Sequence, residues 1–299
     1  MKLISKKFLL FFVLLTLVAA VIGCGNNNGS KGGKVVMVED FEQPDIEGVR
    51  GYGAAAFRSE DVALRDAFNT ELAKLKESGD LLTLLEENGF SEAELPGDQS
   101  MKALCGPSFQ EGSGGNTLEK IKSEGKVVVG FANEKPYAYQ DENGELKGEA
   151  ISVATAVFKN MGIEEIEGKL VEFGSLIPGL QAGRFDVITA GMYITPDRCE
   201  QVVFAEPEYS IGEALGVIEG NPKDLHSYED IANNPDAKIA VMQGAIEIGY
   251  LEQVGVKDDQ IVKVPDQAAA LNAVQSGRAD AVTMTSMSLK SILESAEGK

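Results

Sequence analysis

In Tyr193-Ile-Thr-Pro-Asp-Arg198, a threonine before a proline reads as a helix N-cap with proline in the first turn. Arg198 then sits beside free backbone N–H groups. Guanidinium and backbone donors together suit a carboxylate, because the planar arginine fork grips both oxygens. The competing reading is a surface arginine paired with Asp197 or Glu200. Tyr137, Phe173 and Tyr193 offer the opposite chemistry, since each aromatic face attracts a cation by about 0.5–2 kcal/mol. Glu134 and Glu247 would accept N–H bonds from that cation. Singly, each aromatic suits a core equally well, and Glu247 suits a first helical turn, where the dipole favours a carboxylate. Jointly they describe a site for a small zwitterion.

The elements that must carry these residues form two related sets. Gln181-Ala-Gly-Arg-Phe-Asp186-Val-Ile-Thr189 recurs as Gln275-Ser-Gly-Arg-Ala-Asp280-Ala-Val-Thr283, a shared Q-x-G-R-x-D-x-x-T. A helix ending at glycine, which tolerates the left-handed conformation, followed by a short apolar strand explains the pattern. Each copy is preceded by a strand that runs into a loop with a carboxylate, Lys126 to Glu134 and Lys238 to Glu247. Two α/β lobes are therefore expected, against the plainer alternative of one doubly wound sheet. In open α/β sheets ligands lie beyond the carboxyl ends of strands, so both sets aim at one cleft.

The chain has 299 residues, 43% hydrophobic and 25% charged, enough for two cores. Lys2, Lys6 and Lys7 precede the apolar run Phe8 to Ile22, too short for a membrane span, so residues 1–23 read as an export signal. Val21-Ile-Gly-Cys24 resembles the lipobox of bacterial lipoproteins, with Cys24 as the lipidated residue; an uncleaved anchor is the alternative. Either places the protein outside the cytoplasmic membrane, with residues 24–33 as a flexible tether. Removing residues 1–23 deletes three lysines and no acid, taking the formal charge from −20 to −23, so nucleic acid is not an expected partner. Cys105 and Cys199 pair in a disulfide or stay as separate buried thiols.

Asn133-Glu134, Phe173 to Arg184, Ala190 to Cys199 and Asp66 to Gly79 resemble the ectoine and hydroxyectoine receptors of ABC transporters, members of the polar amino-acid group of extracellular solute-binding proteins. The resemblance spans nearly everything from residue 34 onward. It implies an α/β, two-lobed type II periplasmic-binding fold and a monomer without cofactor or metal that hands its ligand to permease subunits. It further implies that Arg198, with backbone around Tyr193, Ile194 and Thr195, holds the ligand carboxylate. Tyr137, Phe173 and Tyr193 would enclose the ring and Glu134 would bond its nitrogens. Ile246, Glu247 and Asp266 would close the site, although Ile246 stands where a small polar residue is expected.

Against that resemblance the order of the parts is displaced. The segment that should end the protein, Val35 to Gly106, comes first, and the expected start lies near Thr117. The chain therefore reads as circularly permuted, naturally or by design. Lobe 2 is assigned to residues 34–50 plus 213–299, lobe 1 to 51–106 plus 117–212, and 107–116 to a flexible joint. Hinges are expected near Ser210 to Gly212 and near Val49 to Gly53. Its single histidine, His226, gives Ser/His, Cys/His and His-based metal chemistry little support. A binding protein is expected; receptors for lysine, arginine or glutamine and a carboxylate-based dehydratase of the same fold are the alternatives.

Overall fold

A computed structural model describes residues 33–44, 50–111 and 114–298. The export segment, Cys24, most of the tether and Val49 of the second expected hinge lie outside those residues. In chain order the strands are β1 (Val35–Met37), β2 (Gly51–Gly53), β3 (Ala56–Arg58), β4 (Lys126–Phe131), β5 (Tyr139–Gln140), β6 (Leu146–Lys147) and β7 (Glu165–Leu170). They continue as β8 (Val187–Ile188), β9 (Val202–Phe204), β10 (Tyr209–Ile211), β11 (Glu213–Ile218), β12 (Ile239–Met242), β13 (Ile261–Val264) and β14 (Ala281–Thr285).

Two five-stranded sheets result, ordered β7-β4-β8-β3-β9 and β1-β11-β14-β12-β13. They share one plan. In the first, β4 runs parallel to β7 and β8, while β3 lies antiparallel between β8 and the edge strand β9. In the second, β12 runs parallel to β13 and β14, while β11 lies antiparallel between β14 and the edge strand β1. So β1, from the front of the chain, fills in the second sheet the place that β9 fills in the first. Between the sheets, β2 and β10 pair antiparallel, Ser210 opposite Tyr52, where the chain crosses from one sheet to the other.

The sequence repeat has a mechanical cause. Gly183 (φ 69°) and Gly277 (φ 73°) end their helices in the left-handed region. Three residues later Asp186 accepts from Val128 N at 3.0 Å and donates its own N–H to Val128 O at 2.8 Å. Asp280 repeats this clasp on Lys238, at 2.8 and 2.7 Å. Each aspartate thus fastens one parallel strand to the next. The strands between are apolar without alternation because both faces are covered: all of β12 and β14 is buried. Leu215, Ile239 and Val241 pack on one face of the second sheet, and Ala214, Ala240 and Val282 on the other.

The front segment also serves the first lobe. Phe57 and Phe68 meet edge-on at 5.5 Å inside its core, Phe68 belonging to the helix Val62–Ser78. A disulfide joins Cys105 to Cys199, with 5.7 Å between Cα atoms. The stretch 107–116, expected as a flexible joint, is held on both sides of residues 112–113. Gln110 Nε2 donates to Cys199 O at 2.7 Å, and Gly114 O accepts from Ala63 N at 3.1 Å. Among the described residues no helix is long and apolar enough to cross a membrane.

Candidate functional site

Thr195 caps the helix Pro196–Cys199, its hydroxyl accepting from Arg198 N at 3.3 Å with Pro196 in the first turn. The cap fixes where Arg198 leaves the backbone. Its Nη1 donates to Tyr193 O at 2.9 Å, its Nη2 donates to Gly244 O of the second lobe at 3.0 Å, and its guanidinium lies 5.6 Å from the centre of the Phe173 ring. Burial lowers the Arg198 pKa, while the Glu247 and Glu134 carboxyls pull it back up. Arg198 is therefore a cation held between an aromatic face and two acids.

These groups line a cleft between the sheets. Glu134, Phe173, Tyr193 and Arg198 come from the first lobe, and Ile246, Glu247, Gln267 and Thr285 from the second. The loops meet closely at its rim. A Cβ on Gly244 (φ 84°) would fall 2.7 Å from Gly174 Cα, so the backbones approach this closely because residue 244 is glycine. Glu134 and Glu247 are each 5% exposed. Burial, reinforced by Glu247, pushes the Glu134 carboxyl well above the ordinary carboxylate range, and its Oε2 has no hydrogen-bond donor. The Glu247 carboxyl is raised by burial too, with Arg198 opposing.

Several expected residues take other places. Tyr137 does not wall the cleft: it is fully buried, stacked on Tyr209 at 5.0 Å, and shares a hydrogen bond between its hydroxyl and Thr285 Oγ1 at 2.8 Å. Gly191 makes room for it, since a Cβ there would lie 2.6 Å from the Tyr137 ring. A buried tyrosine hydroxyl needs a partner, and behind the cleft the ring finds Tyr209 while the hydroxyl finds Thr285. Asp266 caps the helix Gln267–Gln275, its Oδ1 accepting from Ala269 N at 2.7 Å on the exposed side. Its neighbour Gln267 faces the cleft instead, 5% exposed, with Nε2 donating to Ser288 Oγ at 2.8 Å. Ile194 is 6% exposed and donates from its backbone to Tyr52 O at 2.9 Å, so it braces the crossing ribbon. Phe173, Tyr193, Arg198, Glu134, Ile246 and Glu247 do converge. Gln267 and Thr285 carry a weak sequence signal, one following an N-cap aspartate and the other closing an apolar strand; Glu213, behind Glu247, carries none.

The model for bacterial extracellular solute-binding proteins, family 3, matches residues 127–274. A probable amino-acid ABC transporter periplasmic-binding protein of Sinorhizobium fredii is 47% identical over 171 residues, and the match covers 56% of each chain. The chain thus spans little more than half the length of that curated relative. The crystal structure of EhuB in complex with hydroxyectoine superposes with a TM-score of 0.58 at 38% identity, over 60% of this chain and 70% of that one. An ancestral arginine-binding protein bound to arginine gives a TM-score of 0.52 at 33% identity, over 57% and 74%. With these the chain shares the two-lobed type II periplasmic-binding fold. By its matched segment, its two-lobed fold and its identity to these receptors, the chain belongs to the bacterial extracellular solute-binding proteins, family 3.

Proposed function

We propose that this protein captures a compact zwitterion of the ectoine class outside the cytoplasmic membrane and delivers it to the permease subunits of an ABC importer. The observation that carries the reading is the pairing of Arg198, braced by Tyr193 O and placed over the Phe173 ring, with Glu134 and Glu247 in a narrow cleft. A ligand carboxylate would meet the arginine fork, and a delocalised cation would meet aromatic faces and carboxylates. EhuB, solved with hydroxyectoine, supports this choice at 38% identity. A basic or polar amino acid is the second reading, favoured by the excess of acids over cations around Arg198 and by the arginine-bound relative. Calorimetry with ectoine, hydroxyectoine, lysine, arginine and glutamine tests both. Heat from an ectoine at micromolar concentration supports the first reading; heat from arginine or lysine alone replaces it with the second.

In this reading the protein acts as a lipid-anchored monomer, with Cys24 as the anchor and the β2–β10 ribbon as the hinge. The displaced order of parts is a circular permutation with lobes 34–50 plus 213–299 and 51–106 plus 117–212. Its support is that β1 completes the second sheet while the family match begins only at residue 127. A rearranged chain that starts at Thr117 and joins residue 298 to Gly33 through a short glycine linker should melt and bind like the parent. Failure of that chain to fold would count against the permutation.

A further inference from the structure

Glu213 opens β11 directly after the crossing ribbon, paired in register with Thr285, and is 2% exposed. Gln43 fixes its backbone: Gln43 Nε2 donates to Glu213 O at 2.7 Å and Glu213 N donates to Gln43 Oε1 at 3.2 Å. Neither carboxyl oxygen of Glu213 is met by a well-formed hydrogen bond, although the Tyr193 hydroxyl lies beside the group and eases its ionisation. Its carboxyl instead meets that of Glu247, which lines the cleft. Two carboxyl groups in contact away from water hold together when a proton lies between them, because two adjacent carboxylates repel at low dielectric.

Among the described residues, no cation is dedicated to this pair. Arg198 faces Glu247 but also serves Tyr193 O, Gly244 O and Glu134. The other titratable groups near the two acids are Glu134 and the phenols of Tyr137, Tyr193, Tyr228 and Tyr250. Burial raises both acids, Glu213 well above the ordinary range with Glu247 adding to the effect. If Arg198 offsets a ligand carboxylate, the charge on the rest of the ligand must be balanced by Glu134 and this pair.

We propose that Glu213 and Glu247 hold one exchangeable proton that matches the cleft to ligand charge: retained beside a net-neutral zwitterion, and released to solvent when a net-positive basic amino acid enters. The O–H bond breaks to leave a second carboxylate, the proton goes to buffer, and the added positive charge of the ligand replaces it. This inference rests on reading the cleft as a zwitterion site, yet its first test uses no ligand. Infrared spectra of the ligand-free protein at neutral pH should lose one protonated-carboxyl signal in Glu213→Gln, and adding Glu247→Gln should remove no more. No loss in Glu213→Gln, or a second loss in the double variant, overturns the shared proton. The second test is calorimetry with ectoine and with L-arginine in buffers of different ionisation heat. Arginine should release about one proton more than ectoine, so its relative affinity rises about tenfold per pH unit, and Glu213→Gln should erase the difference. Equal proton counts in the parent protein, or a difference that survives Glu213→Gln, refute the charge-matching role. If neither ligand binds, the assignment of ligand class fails and charge matching with it, while the infrared result still decides the shared proton.

Discussion

Arg198 of the first lobe donates from Nη2 to Gly244 O of the second at 3.0 Å, while its Nη1 holds Tyr193 O of its own loop at 2.9 Å. One guanidinium therefore ties the cleft shut from within while its central carbon lies over the Phe173 ring. Hydrogen bonds from a charged donor contribute about 1.5–3 kcal/mol each. The residue that would meet ligand and the residue that braces closure are the same.

Arg198→Ala should lower ligand affinity at least about a hundredfold, the loss of roughly 2.7 kcal/mol. Arg198→Lys should recover little, because a single ammonium cannot hold two carbonyls and a carboxylate in one plane. Titration calorimetry of both variants checks this, and lysine restoring full affinity would contradict the fork geometry.

Gly244→Ala should impair closure more than stability. Its φ of 84° disfavours any side chain, and the new Cβ would press within 2.7 Å of Gly174 Cα on the opposite lobe. Stability should fall by about 1 kcal/mol, whereas affinity should fall at least about tenfold as each lobe holds the other away. Small-angle scattering with saturating ligand should show a more open particle.

Tyr137→Phe should weaken binding only slightly and Phe173→Ala severely. Tyr137 contributes a buried bond to Thr285 rather than a wall of the cleft, so its hydroxyl is worth about 1 kcal/mol. Phe173 lies under Arg198 and lines the cleft, so its removal takes away both support and contact. Equal losses in the two variants would return Tyr137 to the ligand surface.

Replacing Cys105 and Cys199 with alanine should cost about 2–5 kcal/mol, since the bridge closes a loop spanning 94 positions. Cys199 follows Arg198 directly, so the double variant should bind more weakly as well as melt earlier. Thermal unfolding monitored with and without ligand separates the two effects.

Stability should fall as pH rises through the carboxyl range. Glu208 is 2% exposed and raised by burial from 4.5 to about 7, with Ala55 N–H, which donates to Oε1 at 3.1 Å, opposing the rise. Glu149, fully buried, is raised well above 4.5 by burial and by Glu208. An acid whose folded pKa is raised binds more protons folded than unfolded, so its contribution is complete below about 4.5 and lost as pH passes about 7. Melting temperatures across that window should decline, and Glu208→Gln should flatten the slope.

Much of the scaffold was legible in the residues alone because its causes are local. The repeated glycine and aspartate mark a helix end and a strand clasp within six residues, and Asp186 and Asp280 make the same two bonds in each lobe. Thr195-Pro196 sets its cap without help from elsewhere, and so places Arg198. The depth of each side chain depended on distant partners. Tyr137 left the cleft because Gly191, Tyr209 and Thr285 form a pocket for its ring and hydroxyl. Asp266 turned to its own helix because an N-cap bond lay within reach. Glu213 shows no motif at all; β-sheet register with Thr285 and contact with Glu247 give it a role, and both join segments far apart in the chain. Sequence alone determined the lobes, the clasps and the arginine, whose geometry follows from neighbours within one turn. Only the tertiary structure decided which buried groups face the cleft, because that depends on desolvation and packing between segments that meet only on folding.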